Sequence, residues 1–238
     1  YRRPHFITPS NDLLVETFLQ HSIETIDEFS FDRIGASTSI RHEFQENLTG
    51  VLGYTVFDEH VFDVAPDVIA GDNDEGSSIY SGVKTQLEYD ARDDRYNPTR
   101  GGSSNLQAQY FPELLGSGVE LWGLAARQTF YVPVNSALVW ANSLRGEMLR
   151  PLNDTEVVPL SQRLFLGGRN SLRGFTRNKI GPRGVENDIA GGDTAVVFNT
   201  ELQYTFMEDV VAVTFLDVGQ SYLENRGRFD GDAKSVEK

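Results

Sequence analysis

The chain has 238 residues, 39% of them hydrophobic, and a formal net charge of −14. That acidic balance argues against a nucleic-acid partner, which calls for a basic face. The absence of cysteine excludes disulfides and thiolate metal sites and is compatible with an oxidising compartment.

No run approaches the ~20 apolar residues of a membrane-spanning helix, and the mean hydropathy is −0.35. These averages do not separate a soluble β protein from a transmembrane barrel. Barrel strands alternate lipid-facing apolar residues with lumen-facing polar ones, so their average stays low. Strand length and loop pattern carry the distinction.

Period-2 patterning predicts strands at 12–24, 31–44, 48–57, 79–90, 103–111, 119–132, 137–149, 195–206 and 210–222, with 1–6 as the tail of another. Several exceed the ~5–6 residues of globular strands and suit the ~9–11 residues of a tilted transmembrane strand. Nothing reads as a helix of useful length. In 195–206, Val196, Phe198, Thr200, Leu202, Tyr204 and Phe206 form a largely apolar face, and Asn199, Glu201, Gln203 and Thr205 form the opposite one. In 119–132 the pattern blurs, because Leu121, Trp122, Leu124, Ala125 and Ala126 fall on both faces. Tyr80, Tyr89, Tyr110, Phe111, Phe130, Tyr131 and Tyr204 cluster near strand ends, where a barrel carries aromatic girdles.

The connections sort by length. Short ones lie at 7–11, 45–47, 133–136 and 207–209, with 91–102 somewhat longer. Alternating with them are 25–30, 58–78, 112–118, 150–194 and the polar tail after Leu223. Turns at one end and loops at the other are the asymmetry of an outer-membrane barrel.

Two motifs stand out. Leu164-Phe165-Leu166-Gly167-Gly168-Arg169-Asn170-Ser171-Leu172-Arg173-Gly174-Phe175 places an arginine in a long Gly-rich loop. Phe215-Leu216-Asp217-Val218-Gly219 puts an aromatic, a carboxylate and a glycine on alternate positions, so all three share one strand face. A loop arginine and a strand carboxylate invite a charge-assisted bond. Gly219 and Gly174 are expected to leave room for loop backbone against the wall.

Together these motifs resemble the signature of the BamA family, outer-membrane barrels that insert or translocate other proteins. The resemblance implies an all-β, antiparallel transmembrane barrel of sixteen strands, of which this chain, residues 1–238, supplies about ten from the middle. The periplasmic POTRA repeats and the first and last strands then lie outside it. The chain begins at Tyr1 and is expected to be a processed or partial piece. The resemblance further implies that Leu172, Arg173, Gly174 and Phe175 fold into the barrel. Arg173 then docks on an inner wall formed by Glu201, Phe215, Asp217 and Gly219. The implied function is folding and insertion of β-barrel proteins into the bacterial outer membrane through a lateral seam. The implied partners are unfolded outer-membrane proteins, outer-membrane lipid and lipopolysaccharide, and accessory lipoproteins. No enzyme activity, cofactor or metal is expected. Alternatives are a TamA-like or two-partner secretion barrel and, from another class, a passive porin.

Other features read as structural. Asp90-Ala91-Arg92-Asp93 and Pro98-Thr99-Arg100-Gly101 resemble a periplasmic turn common in such barrels. Asp72, Asp74 and Glu75, and separately Asp230 and Asp232, offer oxygen ligands for calcium without a full loop spacing. His5, His21, His42 and His60 have no metal-ligand spacing, and no nucleophile elbow or phosphate-binding loop occurs.

Overall fold

Alternation of side chains across a pleated backbone dictates a sheet with two unlike faces, and this is what the computed structural model contains. Residues 1–23, 29–65, 68, 71–184, 188–207 and 210–224 are described. They form one antiparallel sheet of ten strands in chain order. The strands are β1 (Arg2–Arg3), β2 (Asn11–Ile23), β3 (Ser30–Gln45), β4 (Leu48–Phe62), β5 (Gly76–Asp90), β6 (Gly101–Phe111), β7 (Leu121–Pro133), β8 (Leu138–Pro151), β9 (Thr194–Met207) and β10 (Val210–Tyr222). From β2 onward they run 11 to 16 residues, long enough to cross a hydrocarbon core when tilted. Among the described residues no helix is long and apolar enough to cross a membrane, which says nothing of a barrel.

Antiparallel neighbours send successive connections to opposite ends. The segments 63–75, 112–120 and 152–193 therefore share one end, and 46–47, 91–100 and 134–137 share the other. The expected loop at 58–78 is shorter than read. β4 runs on to Phe62 and β5 starts at Gly76, with Asp58 and His60 facing out while Phe57, Glu59 and Val61 are buried. The outward polar pair hid the alternation. β7 likewise starts at Leu121, and β8 reaches Pro151. Parts of the connections expected at 25–30 and 207–209, the tail beyond residue 224, and Asp230 and Asp232 lie outside the described residues.

One sheet face is an exposed apolar wall that includes Leu52, Ile79, Leu87, Leu106, Leu144, Val196 and Leu202. So large an exposed apolar surface suits lipid and not water. The other face carries the core, which is built against the long segment 152–193. Val158 packs with Phe57, Tyr80, Phe111, Leu121 and Leu149; Leu160 packs with Phe29, Phe31 and Val61. Leu166 and Leu172 pack on Ala195 and Val197. Two residues assigned to the aromatic girdle belong here instead. Tyr80 and Phe111 are 1% exposed, and Tyr80 stacks on Phe57 at 4.7 Å. Even positions of β5 and odd positions of β6 point inward, so these rings fill the space under the loop. Tyr89, Tyr110, Phe130 and Tyr204 are exposed on the outer wall.

Candidate functional site

The loop between β8 and β9 packs, as a hairpin-like stem, on the sheet face opposite the apolar wall. Leu164 pairs with Gly192, and Leu166 exchanges both backbone hydrogen bonds with Ile180 at 3.0 Å. At the tip, the Gly168 N–H donates to the Phe175 carbonyl at 3.0 Å. Ser171 Oγ accepts from the Gly167 N–H at 2.8 Å and donates to the Gly167 carbonyl at 3.0 Å. Gly174 has φ +87°, a conformation that favours glycine. A Cβ there would meet nothing within 4 Å, so its freedom serves the turn and not a close approach to the wall, contrary to expectation.

This turn aims Arg173 at the wall. Its backbone N–H donates to Asp217 Oδ2 at 2.8 Å, Nε donates to the same oxygen at 2.8 Å, and Nη2 donates to Oδ1 at 2.7 Å. Nη1 donates to Glu201 Oε1. The guanidinium carbon lies 3.9 Å from the centre of the Phe215 ring. The Asp217 side chain is 3% exposed, so its charge needs partners. The Asp217 and Glu201 carboxylates hold Arg173 above the ordinary arginine value, against burial.

Gly219 lies beside Leu172, where a Cβ would sit 3.2 Å from Leu172 Cδ2 and 2.9 Å from the Val196 carbonyl oxygen. Leu172, Arg173, Glu201, Phe215, Asp217 and Gly219 are thus together. Phe175 stands apart, exposed at the loop tip.

Three sets of contacts were not expected from the sequence. Asn199 Nδ2 donates to Asp217 Oδ1 at 2.8 Å and to the Ser171 carbonyl at 2.7 Å, joining wall and loop. Glu59, buried on β4, accepts from Arg33 Nε at 2.8 Å, from Ser161 Oγ, and from Gln162 Nε2 at 3.3 Å. Arg163 and Asp74, both fully buried, pair at 2.6 Å. Asn199 was legible in principle, as an inward neighbour of Glu201 on β9. The other two contacts join segments far apart in sequence and leave no local signature.

Asp74, one of the oxygen ligands the acidic stretch offered, is thus buried in an ion pair, whereas Asp72 and Glu75 are exposed beside it. No cluster of metal-ligating side chains occurs among the described residues. His21, His42 and His60 each bond a cross-strand neighbour, respectively Asp32 at 2.5 Å, Asn11 at 2.5 Å and Ser77 at 3.0 Å. In the 91–100 turn, Asp90 receives a forked contact from Arg92 at 2.8 and 2.8 Å.

A long-stranded, outwardly apolar β wall with a loop docked on its inner face defines a barrel-type membrane protein with an internal brace. The model of the Omp85 superfamily domain matches residues 1–237, and the chain belongs to that superfamily. It is 25% identical over 216 residues to the outer membrane protein assembly factor BamA of Nitratidesulfovibrio vulgaris, covering 89% of this chain and 27% of that protein. It is 30% identical over 122 residues to the sorting and assembly machinery component 50 homolog of Mus musculus, covering 50% of this chain and 24% of that one. The crystal structure of BamA from Haemophilus ducreyi lacking POTRA domains 1–3 superposes with a TM-score of 0.83 at 20% identity, covering 99% of this chain and 50% of that one. At that identity the likeness concerns the fold. The chain spans about a quarter of the length of the curated relatives it matches.

Proposed function

We propose that this chain is the central part of the barrel of a bacterial outer-membrane protein assembly factor, which folds and inserts other β-barrel proteins. The single observation that carries the reading is the Arg173 dock on Asp217 and Glu201 within an Omp85 barrel wall. A barrel that only conducts solutes needs an open lumen, whereas here a core is built between loop and wall. The assembly reading gives that core a purpose. It keeps one side of the barrel rigid while the seam between first and last strands opens.

The chemistry needs no cofactor and no catalytic group. An open strand edge offers backbone donors and acceptors to an incoming strand, and pairing releases the incoming chain from unpaired backbone in lipid. The driving force is the substrate's own burial of its apolar band. Leu172, Arg173 and Gly174 set the loop, Phe175 is presented at its tip, and Glu201, Phe215, Asp217 and Gly219 form the wall that receives it. Unfolded outer-membrane proteins are the proposed substrates. Lipid, lipopolysaccharide and accessory lipoproteins are the proposed neighbours. POTRA repeats are proposed to precede this segment in the whole protein.

The test is reconstitution of the full-length protein in liposomes with a urea-denatured barrel substrate, scored by the substrate's heat-modifiable mobility. Folding well above that in empty liposomes is expected. A correctly folded protein that gives no acceleration removes the assembly reading, and steady ion conductance in its place supports the porin. The residues preceding Tyr1 in the whole protein separate the BamA type from the TamA-like and two-partner secretion types.

A further inference from the structure

The Arg173 dock explains how the tip of the loop is held. It does not explain how the chain reaches that point. Arg163 lies ten positions earlier, at the base of the stem, and its side chain is 0% exposed. Its donors are spent on four acceptors in three different segments. Nε donates to the Val158 carbonyl at 2.8 Å, on the arm that enters the barrel. Nη1 donates to the Ala190 carbonyl at 3.1 Å, on the arm that leaves, and to the Val68 carbonyl at 3.1 Å, in the β4–β5 connection. Nη2 donates to Asp74 Oδ2 at 2.6 Å, in the same connection.

Asp74 is itself held from both sides. The Leu160 N–H donates to its Oδ1 at 2.7 Å and the Gly71 N–H to its Oδ2 at 3.1 Å. One guanidinium thus ties the entering arm, the leaving arm and a neighbouring loop at a single point. Only a planar fork with donors in fixed directions reaches such a set of acceptors. A buried charge of this kind, removed from water, persists only when its partners are in place.

We propose that Arg163 is the positioning residue of the inward loop: by clamping both arms to the β4–β5 connection it sets where Arg173 meets the wall. The Leu164–Gly192 pair begins one residue further on, so the clamp fixes the register from which the stem and tip extend. The inference rests on loop geometry and not on the assembly reading, and a failed insertion assay leaves it standing.

The test uses the full-length protein in detergent with spin labels at Arg169→Cys, exposed near the loop tip, and Leu202→Cys, exposed on the outer face of β9. Pulsed electron resonance reads the distance distribution between them, and heat-modifiable mobility reports that the barrel is folded. A narrow distribution is expected in the parent. Arg163→Ala should broaden it severalfold in a barrel that is still folded. Arg163→Lys should not restore it, because a single ammonium cannot serve Val158, Val68, Ala190 and Asp74 together. Asp74→Asn keeps the shape and removes the charge; it should also broaden the distribution, and it decides the matter if Arg163→Ala does not fold. Folded variants that keep the parental distribution overturn the proposal, as does full restoration by Arg163→Lys.

Discussion

Arg173 and Asp217 meet through both main chain and side chain, so their contact fixes the loop's backbone as well as its charge. A substitution of the side chain leaves the backbone N–H free to keep its bond and removes the fork. Arg173→Lys keeps the charge and loses the planar contact with Asp217 and the simultaneous bond to Glu201. The expected loss is about 1.5–3 kcal/mol of loop docking, the worth of a hydrogen bond to a charged group. Arg173→Ala should cost more, because two carboxylates then face each other without a cation. Urea titration of the reconstituted barrel, read at a fluorophore on the loop, measures both. Equal stability of parent and Arg173→Ala removes the brace from the account.

Leu202 is exposed on the outer face of β9 and pairs with Trp140 and Thr214, while Glu201 and Gln203 on either side point inward. If Leu202 lies near the bilayer midplane, Leu202→Arg should destabilise the barrel by about 2–4 kcal/mol, the cost of a cation on the lipid face. Gln203→Arg, one residue on, should cost far less because the lumen is wet. The reverse order in a folding titration would place the register one residue away, since a slip of one exchanges the faces.

How far the sequence led depended on the range of each interaction. β9 was legible because Val196, Phe198, Leu202 and Tyr204 alternate with Asn199, Glu201 and Gln203, with Thr200 the one polar residue between them on the apolar face. The end of β4 was not, because Asp58 and His60 occupy outward positions that read as loop. The Arg173 dock was legible through two local motifs on a resembling family. The Arg163 clamp was not, since its partners Val68 and Asp74 lie 95 and 89 residues away. Three of its four acceptors, those of Val158, Val68 and Ala190, are backbone carbonyls, which every residue carries. Asp74 sits among acidic neighbours that suggested a cation site, and only burial against Arg163 distinguishes it from Asp72.

The sorting of connections fixes a testable topology. Segments 63–75 and 152–193 lie at one end and 134–137 at the other. Asp72 and Asn135 are both exposed, which makes them suitable labelling sites, whereas Asp74 is buried. In intact cells a membrane-impermeant maleimide should react with Asp72→Cys and spare Asn135→Cys until the outer membrane is opened. Labelling of Asn135→Cys in sealed cells would invert the barrel.

The 91–100 turn supplies a pH dependence with a definite sign. Asp93 Oδ2 accepts from the Thr99 hydroxyl at 2.6 Å. Its Oδ1 accepts from the backbone N–H groups of Asp94 at 3.0 Å, Thr99 at 3.0 Å and Arg100 at 3.2 Å. The Thr99 hydroxyl, and then these backbone donors, hold the Asp93 carboxyl well below the usual carboxylate range. Because the folded value is depressed, the stabilisation is fully present above the unfolded value of about 3.9 and is lost as pH falls through the folded one. The turn should therefore stay ordered from neutrality down to about pH 4 and loosen only in stronger acid. Carboxyl carbon resonances of Asp93, compared with Asp93 in a short unstructured peptide, measure the shift directly. Thr99→Val should move the midpoint up toward the peptide value, since it removes the hydroxyl and keeps the shape. A midpoint in the parent at or above the peptide's would show that Asp93 does not organise the turn.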